Sequence, residues 1–483
     1  MALGKELLDR LEQCKPEAVY LSDEETQYTY AQVKALVSLR QHQLLQQGFK
    51  QGMRVFIATG RGVLYWIDCL AVWGLGGVVM PLDVASDQAR VEYLFCLVAP
   101  DFILCEKLRY TTQAKQLTFP DSHDDDFSLV RISVDDFAIA AILFTSGSTG
   151  LPKAVKLSDR ALLGNAKAVM PHLNYGKSDS LFFAIGFQFV SAFSHFLVTT
   201  LKSSAIFCTE KLLFKSELVD ALIKQGSTCF GGSPIQLRWL AEDSRLEQLK
   251  HLKWLMASGD HLPAVVIKAL KKTLPNLKIH TVYGLTELGG RFCFLSPNEL
   301  PEQAGFVGKP IMGLKLTIRD EAGKPVKLGE IGEVYAEGEY LLDEYIGIPE
   351  SREFKKTGFN TGDSGFINAK GNLCLSGRSD NVFKCMGKKV STLPITEALI
   401  KTGYFSDVIV VAIDDKNVGG RVPVAFYALK SDVVFKKGVF IRELRKELPS
   451  DYLPYAYIAL PTLPRTGSGK PLYQKLKAFY DSY

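Results

Sequence analysis

One run in this 483-residue chain, Leu143 to Lys153, reads L-F-T-S-G-S-T-G-L-P-K. Its glycines let backbone N–H groups approach an anion, its hydroxyls donate further hydrogen bonds, and Lys153 adds a positive charge, a set that suits a triphosphate. The apolar strand Ile139 to Phe144 leads into it, and the run itself reads as a loop. A Walker A loop is excluded, because Gly150 is followed by Leu151, Pro152 and a displaced Lys153 with no hydroxyl residue after it. On composition alone, a Ser/Gly linker stands as the alternative.

The elements that must position this loop follow from the hydrophobic pattern. Apolar segments that read as buried strands recur at Arg54 to Ala58, Val78 to Pro81, Phe102 to Cys105, Ile139 to Phe144, Ala205 to Cys208, Leu252 to Ala257 and Lys278 to Val282. Amphipathic helices are expected at Tyr30 to Gln47, Arg61 to Trp73, Ser216 to Gln225, Ile235 to Glu242 and Pro263 to Leu274. That alternation predicts α/β layers. From about Gly305, short strands such as Leu314 to Ile318, Gly332 to Ala336 and Phe366 to Ile367 are separated by Gly, Pro, Asn and Asp, which predicts a small antiparallel sheet or barrel. Past Gly377 a mixed unit follows, with strands Val408 to Ile413 and Pro423 to Leu429 and a helix near Phe440 to Leu448. The expected fold class is α/β, a large N-terminal domain of α/β layers plus that antiparallel sheet or barrel, then a small α+β C-terminal domain. Asp121 to Ser128 reads as an acidic exposed loop.

Composition removes several classes of function. With 57 Lys and Arg against 52 Asp and Glu, the net charge of +5 is far from the concentrated basic stripe of a nucleic-acid binder. The nine cysteines lie far apart without a C-x-x-C pair, which suggests neither a zinc site nor a disulfide framework and fits a reducing, cytoplasmic compartment. Charges among the leucines of Met1 to Cys14 break any apolar signal-peptide core. Val63 to Leu82 and Leu181 to Leu201 are apolar enough to invite a membrane reading. Asp68 and three glycines interrupt the first, and Gly186, Gln188, Ser191, Ser194 and His195 the second, so strand and buried-helix pairs are expected and no membrane span.

Further segments then fall in a fixed order: Tyr283-Gly284-Leu285-Thr286-Glu287, Phe359-Asn360-Thr361-Gly362-Asp363, Gly377-Arg378-Ser379-Asp380 through Lys384 and Gly387, and Pro464-Arg465-Thr466-Gly467-Ser468-Gly469-Lys470. Together with T-S-G-S-T-G-L-P-K these resemble the signatures of the adenylate-forming superfamily, which contains acyl-CoA synthetases, adenylation domains and firefly luciferase. The matched segments run from Thr145 to Lys470, and the preceding region has a compatible texture.

The resemblance implies an N-terminal ATP- and acid-binding domain, residues 1–378, and a mobile C-terminal domain, residues 379–483. It implies that ATP, with Mg²⁺, activates a carboxylic acid to an acyl-adenylate with release of pyrophosphate, and that the acyl group then passes to a thiol. By this resemblance Thr145, Ser146, Gly147, Ser148, Thr149 and Lys153 hold the β and γ phosphates. Thr286 contacts the α-phosphate and Glu287 binds Mg²⁺, a hard cation suited to a carboxylate. Asp363 accepts from the ribose hydroxyls with Arg378 nearby, while Tyr283 stacks on adenine and Ser258, Gly259 and Asp260 line its other side. Lys470 is the catalytic cation, brought to the developing negative charge by domain closure, and Asp380 is the hinge. Taken singly, Thr-Gly-Asp is an ordinary turn, Tyr283 a core aromatic and Lys470 a solvated surface charge.

The acid pocket is assigned to Phe187, Gln188, Ser191 and Gly284. Relatives that activate amino acids carry an aspartate where Gln188 stands. An ammonium buried there without a charge partner is costly, so an acyl or aryl carboxylic acid is expected instead. Pro394 and Thr396 replace acids that relatives carry, on the acceptor-facing side. Three readings follow: an acid:CoA ligase, a stand-alone enzyme that loads the phosphopantetheine of an acyl or peptidyl carrier protein, and a non-catalytic nucleotide-binding protein.

Overall fold

The structure, a computed structural model, describes residues 2–60, 62–83, 86, 88–107, 112–118, 127–146, 152–209, 215–300, 302–303, 305–378, 382–385, 388–415, 420–431, 433–449, 452–465 and 471–482. The acidic segment 121–126, Gly147, Ser148, Thr149, Asp380, Gly387 and Lys470 lie outside these described residues.

A seven-stranded sheet runs in the order Glu344–Tyr345, Pro152–Ser158, Ile139–Ser146, Val78–Pro81, Arg54–Ala58, Phe102–Cys105, Lys115–Leu117. Its middle strands are parallel, with Val55 level with Val79 on one side and Phe102 on the other. Parallel strands covered on both faces need apolar residues at every position, which is why V-V-M-P and F-I-L-C stand out in the sequence.

The second sheet has thirteen strands. Ser180–Phe183, Cys229–Gly232, Trp254–Ala257 and Lys278–Tyr283 form a parallel block. Antiparallel pairing continues it through Cys293–Leu295 and Phe306–Pro310 into Leu373–Arg378, Phe359–Ile367, Gly332–Gly338 and Leu314–Arg319. Of the two forms expected after Gly305, the antiparallel sheet is the one built, and it extends the main sheet.

Helices Val63–Gly74 and Val190–Leu201 are buried where the two sheets share one core. Trp66 stacks on Phe196 with ring centroids 4.1 Å apart, and Trp73 meets Phe193 edge-on at 6.0 Å. Each such aromatic pair contributes about 1 kcal/mol beyond the area it buries. These are the apolar stretches that invited a membrane reading. Each helix has only 12 residues, and no helix among the described residues is long and apolar enough to cross a membrane. The segment Leu3–Gln13, expected only to lack a signal-peptide core, is a helix whose Leu3, Leu7, Leu8 and Leu11 join this interior.

Beyond Arg378, strands Phe405–Asp415 and Gly420–Leu429 pair antiparallel and Ala456–Ala459 adds in parallel. Helices Thr392–Lys401, Lys437–Glu447 and Tyr473–Asp481 cover them. This part has apolar clusters of its own, one around Phe405, Phe440 and Leu444 and one around Val411, Phe426 and Leu476. Ser391 caps helix Thr392–Lys401 by accepting from the Leu393 N–H at 3.3 Å. Pro394 falls in the first turn of that helix, where a missing N–H leaves no intrahelical bond unmade.

Candidate active site

Three parallel strands of the large sheet, Cys229–Gly232, Trp254–Ala257 and Lys278–Tyr283, end side by side. The residues just past or at those ends, Ser233, Gly259 with Asp260, and Tyr283 with Gly284, line a cavity of about 350 Å³. Carboxyl ends of parallel strands are where open α/β sheets bind ligands, because the chain turns there and leaves backbone groups and side chains free to face a crevice. Ser258, next to Gly259, is buried, and its hydroxyl has no hydrogen-bond partner among the described residues.

The antiparallel extension supplies a second wall. Asp363 and Arg378 are register partners on Phe359–Ile367 and Leu373–Arg378, and both line the cavity. The guanidinium lies 3.5 Å from the carboxylate and donates to the Thr361 carbonyl at 3.1 Å. Tyr283 donates its hydroxyl to the same carboxylate from the neighbouring wall. Burial, followed by the Asp363 charge, holds the Tyr283 hydroxyl well above its ordinary range, so it stays protonated and donates. The Thr-Gly-Asp segment is therefore part of a strand, not a turn. Gly362 takes φ +73°, and a Cβ on it would lie 2.8 Å from Arg378 Nη2, so glycine both permits the backbone and leaves room for the guanidinium.

Glu287 sits in a short turn, Thr286–Leu288, with 9% of its surface exposed. Tyr345 donates to its Oε1 at 2.8 Å, and no cation pairs with it among the described residues. A nearly buried carboxylate with one hydrogen bond is under-compensated, and such a hard oxygen donor fits Mg²⁺. Lys153 Nζ lies 5.2 Å from the centre of the Tyr345 ring, so one tyrosine links the lysine of the glycine-hydroxyl run to the carboxylate. Burial, then Glu287, raises the Tyr345 hydroxyl and keeps it a donor.

The described ends of the glycine-hydroxyl run belong to strands. Thr145 and Ser146 close strand Ile139–Ser146, while Pro152 and Lys153 open strand Pro152–Ser158, with Thr145 opposite Lys153 and Ser146 opposite Pro152. The β-branched and apolar residues on both sides continue the ladder to these described ends, and residues 147–151 between them lie outside the described residues.

The C-terminal part closes the cavity. Arg465 and Pro471, which flank Thr466 to Lys470, both line it and pair as an isolated bridge. Arg465 holds Asp407 in a two-pronged ion pair, Nε and Nη2 each 2.8 Å from a carboxylate oxygen. Burial works against the Arg465 charge and the Asp407 pair outweighs it, leaving the guanidinium above its ordinary value. His261, near Asp260, meets Glu397 of helix Thr392–Lys401 at 2.6 Å, and Thr396 also faces the cavity.

Among the described residues Tyr283, Gly284, Gly259, Asp260, Asp363 and Arg378 thus meet in one cavity, while Lys153, Thr286 and Glu287 form a neighbouring group. Phe187, Gln188 and Ser191 lie apart from that cavity's lining. Phe187 packs on Tyr65 at 5.0 Å and Trp66 at 5.1 Å as a core side chain. Gln188 Nε2 donates to Asp83 at 3.3 Å, so a carboxylate stands next to this neutral position after all. Spacing gave no sign of Asp83, Tyr345 or the His261–Glu397 contact, because each partner is distant in the chain. Arg465 was visible inside its motif without a stated role.

A family model described as AMP-binding enzyme matches residues 8–346, and one described as AMP-binding enzyme C-terminal domain matches residues 395–470. The chain belongs to the AMP-binding enzyme family. It is 28% identical, over 96% of its length, to a probable non-canonical nonribosomal peptide synthetase, CymA, of Salinispora arenicola, and spans 6% of that protein. It is 25% identical over 92% of its length to bacitracin synthase 2 of Bacillus licheniformis, of which it spans 17%. Among solved structures it resembles the anthranilate CoA ligase AuaEII in complex with anthranoyl-AMP at TM-score 0.88 and 20% identity, covering 99% of this chain and 98% of the other. ATP-bound MatB from Rhodopseudomonas palustris gives TM-score 0.87 at 22% identity, covering 99% of both chains. The AMP-binding fold, within the adenylate-forming superfamily, accounts for the order of all the motifs.

Proposed function

We propose that this chain uses ATP to activate an acyl or aryl carboxylic acid and hands the acyl group to the thiol of CoA. The observation that carries the reading is the meeting, in one cavity, of Tyr283, Asp363 and Arg378 with Arg465 and Pro471, the two residues that bracket the glycine-rich lead to Lys470.

In the first half-reaction a carboxylate oxygen attacks the α-phosphorus of ATP, the bond from that phosphorus to the pyrophosphate oxygen breaks, and pyrophosphate leaves. Both partners are anionic, so positive charge and donors placed in advance lower the barrier. Asp363, fixed by Tyr283 and Arg378, accepts from both ribose hydroxyls and sets the height of the α-phosphate. Lys153 and the segment from Thr145 to Thr149 take the outer phosphates, Thr286 the α-phosphate. Mg²⁺ bound at Glu287 would supply Lewis-acid neutralisation of the phosphate oxygens. Lys470, delivered by residues 379–483 turning at Asp380, adds a point charge between the carboxylate and the α-phosphate. In the second half-reaction the thiol sulfur bonds to the acyl carbon and AMP leaves.

A carrier-protein phosphopantetheine is the second reading of the acceptor, favoured by the likeness to peptide synthetases and by Asp83 beside Gln188, which offers a carboxylate to an ammonium. Incubation with ATP, Mg²⁺ and an acid panel separates the two. Multiple turnovers yielding acyl-CoA with free CoA support the first, whereas a mass increase on a holo carrier protein with no CoA product supports the second.

A further inference from the structure

Arg291 follows the Y-G-L-T-E segment by four positions and is 3% exposed. Among the described residues its Nε and Nη2 have no hydrogen-bond partner and no carboxylate pairs with it. Only its backbone is engaged: the N–H donates to Asn165 Oδ1 at 3.1 Å, and Asn165 Nδ2 donates back to its carbonyl at 2.7 Å. An arginine kept for structure spends its guanidinium on carbonyls or carboxylates, since an unpaired buried charge opposes folding strongly. Burial lowers this group to about 10, which leaves it charged at neutral pH.

A second orphan lies beside it. His195 is 2% exposed with Nε2 unpartnered among the described residues, and its ring occupies the space a Cβ on Gly231 would need, 2.4 Å from Cε1. Burial, and then the Arg291 charge, keeps His195 well below its usual value and so neutral. Tyr175, also within electrostatic range of Arg291, is satisfied by Thr199 at 2.9 Å.

Both orphans lie close to residues that the resemblance assigns to the acid pocket. Gly284, in the cavity wall, packs against the Gly290 carbonyl, and Gly290 in turn packs against Ser194 of helix Val190–Leu201. That helix starts at the segment from Phe187 to Ser191, and Phe183 lies 5.8 Å from Phe187 and 6.0 Å from His195, ring to ring. A Cβ on Gly284 would also lie 3.1 Å from the Arg291 Cα, so Arg291 stands next to Gly284.

We propose that Arg291, with His195 beside it, binds a second carboxylate of the acid substrate, so that the acid activated here is a dicarboxylic acid. A guanidinium holds a carboxylate through two parallel N–H bonds, and Nε with Nη2 is one edge of that fork. With His195 neutral, the site carries one positive charge, which a carboxylate balances and a doubly charged phosphate does not. The inference rests on the adenylation reading above and names its substrate class.

The test is acid-dependent ATP–pyrophosphate exchange by the wild-type chain with malonate through sebacate and the phthalate isomers. Each is paired with the monocarboxylic acid in which methyl or hydrogen replaces the second carboxyl group, with amino acids alongside. One dicarboxylic acid is expected to exceed its monocarboxylic partner by about 100-fold in kcat/KM, since leaving a buried charged partner unpaired has an effect of that size. Arg291→Met should erase the ratio while monoacid exchange persists, and Arg291→Lys should restore part of it. Wild-type exchange that is equal or better with monocarboxylic or amino acids overturns the dicarboxylate inference and leaves adenylation standing, whether or not the variants fold. Absence of exchange with every acid overturns both.

Discussion

The Tyr283 hydroxyl donates to the Asp363 carboxylate across 80 residues of sequence, joining the end of a parallel strand to the middle of an antiparallel one. With Arg378 at 3.5 Å on its other side, this carboxylate is held at a fixed height above the strand ends. Tyr283→Phe removes one charge-assisted bond and is expected to raise KM for ATP about 10-fold with a smaller change in kcat, while Asp363→Ala, which removes the proposed ribose contacts as well, is expected to lower kcat/KM for ATP by about 100-fold or more. Steady-state pyrophosphate release at varied ATP reads both, and circular dichroism confirms that each variant is folded.

Tyr345 carries two loads, a hydrogen bond to Glu287 and the ring near Lys153. Tyr345→Phe keeps the ring and should lower kcat/KM about 10-fold, whereas Tyr345→Leu loses both and should fall a further ~3-fold. Glu287→Gln is expected to raise the Mg²⁺ concentration needed for half-maximal rate. Rates for the three variants across a Mg²⁺ titration test the assignment; an unchanged Mg²⁺ midpoint in Glu287→Gln removes that carboxylate from the metal site.

His261 and Glu397 join the body to the C-terminal helix Thr392–Lys401 at 2.6 Å. The pair is partly exposed, so its worth is at most about 1 kcal/mol. If residues 379–483 turn between the half-reactions, Glu397→Ala releases one state and should change the ratio of adenylation to thioester rates by up to ~5-fold. Measuring each half-reaction separately decides this. Equal loss in both would mean that the contact serves stability alone.

His280 is 4% exposed, between Trp254 and Phe294, and burial, followed by His172 and Lys278, lowers it from 6.5 to about 4. The folded state then binds fewer protons than the unfolded one between these values. Its contribution is complete above about pH 6.5 and is lost as pH falls toward about 4. Chemical denaturation of wild type at about pH 7.5 and about pH 4.5 should differ by about 2 kcal/mol more than for His280→Gln. Equal differences would show that His280 titrates normally.

Much of this architecture is legible in the sequence because its strands are buried on both faces. Arg54–Ala58, Val78–Pro81, Phe102–Cys105 and Ala205–Cys208 form where the apolar runs place them. The motifs are legible because each keeps its characteristic residues at short spacing. What spacing cannot carry is contact between distant segments. Asp363 reads as a turn until its register with Arg378 is known, and the hairpin through Thr145 and Lys153 reads as a loop until Pro152–Ser158 pairs back on Ile139–Ser146. Arg291 had a faint signal, a lone charge within the apolar run G-G-R-F-C-F-L, but that its Nε and Nη2 have no partner among the described residues is seen in the fold alone.

Everything turns on whether a carboxylic acid displaces pyrophosphate from ATP on this chain. Incorporation of labelled pyrophosphate into ATP, with Mg²⁺ and no thiol, measures that exchange directly. Label should enter ATP only when a carboxylic acid is present, and Lys470→Ala should abolish it. A chain that binds ATP yet incorporates no label with any acid of a broad panel, or whose Lys470→Ala variant exchanges at the wild-type rate, contradicts adenylation by the cavity and the C-terminal lysine together.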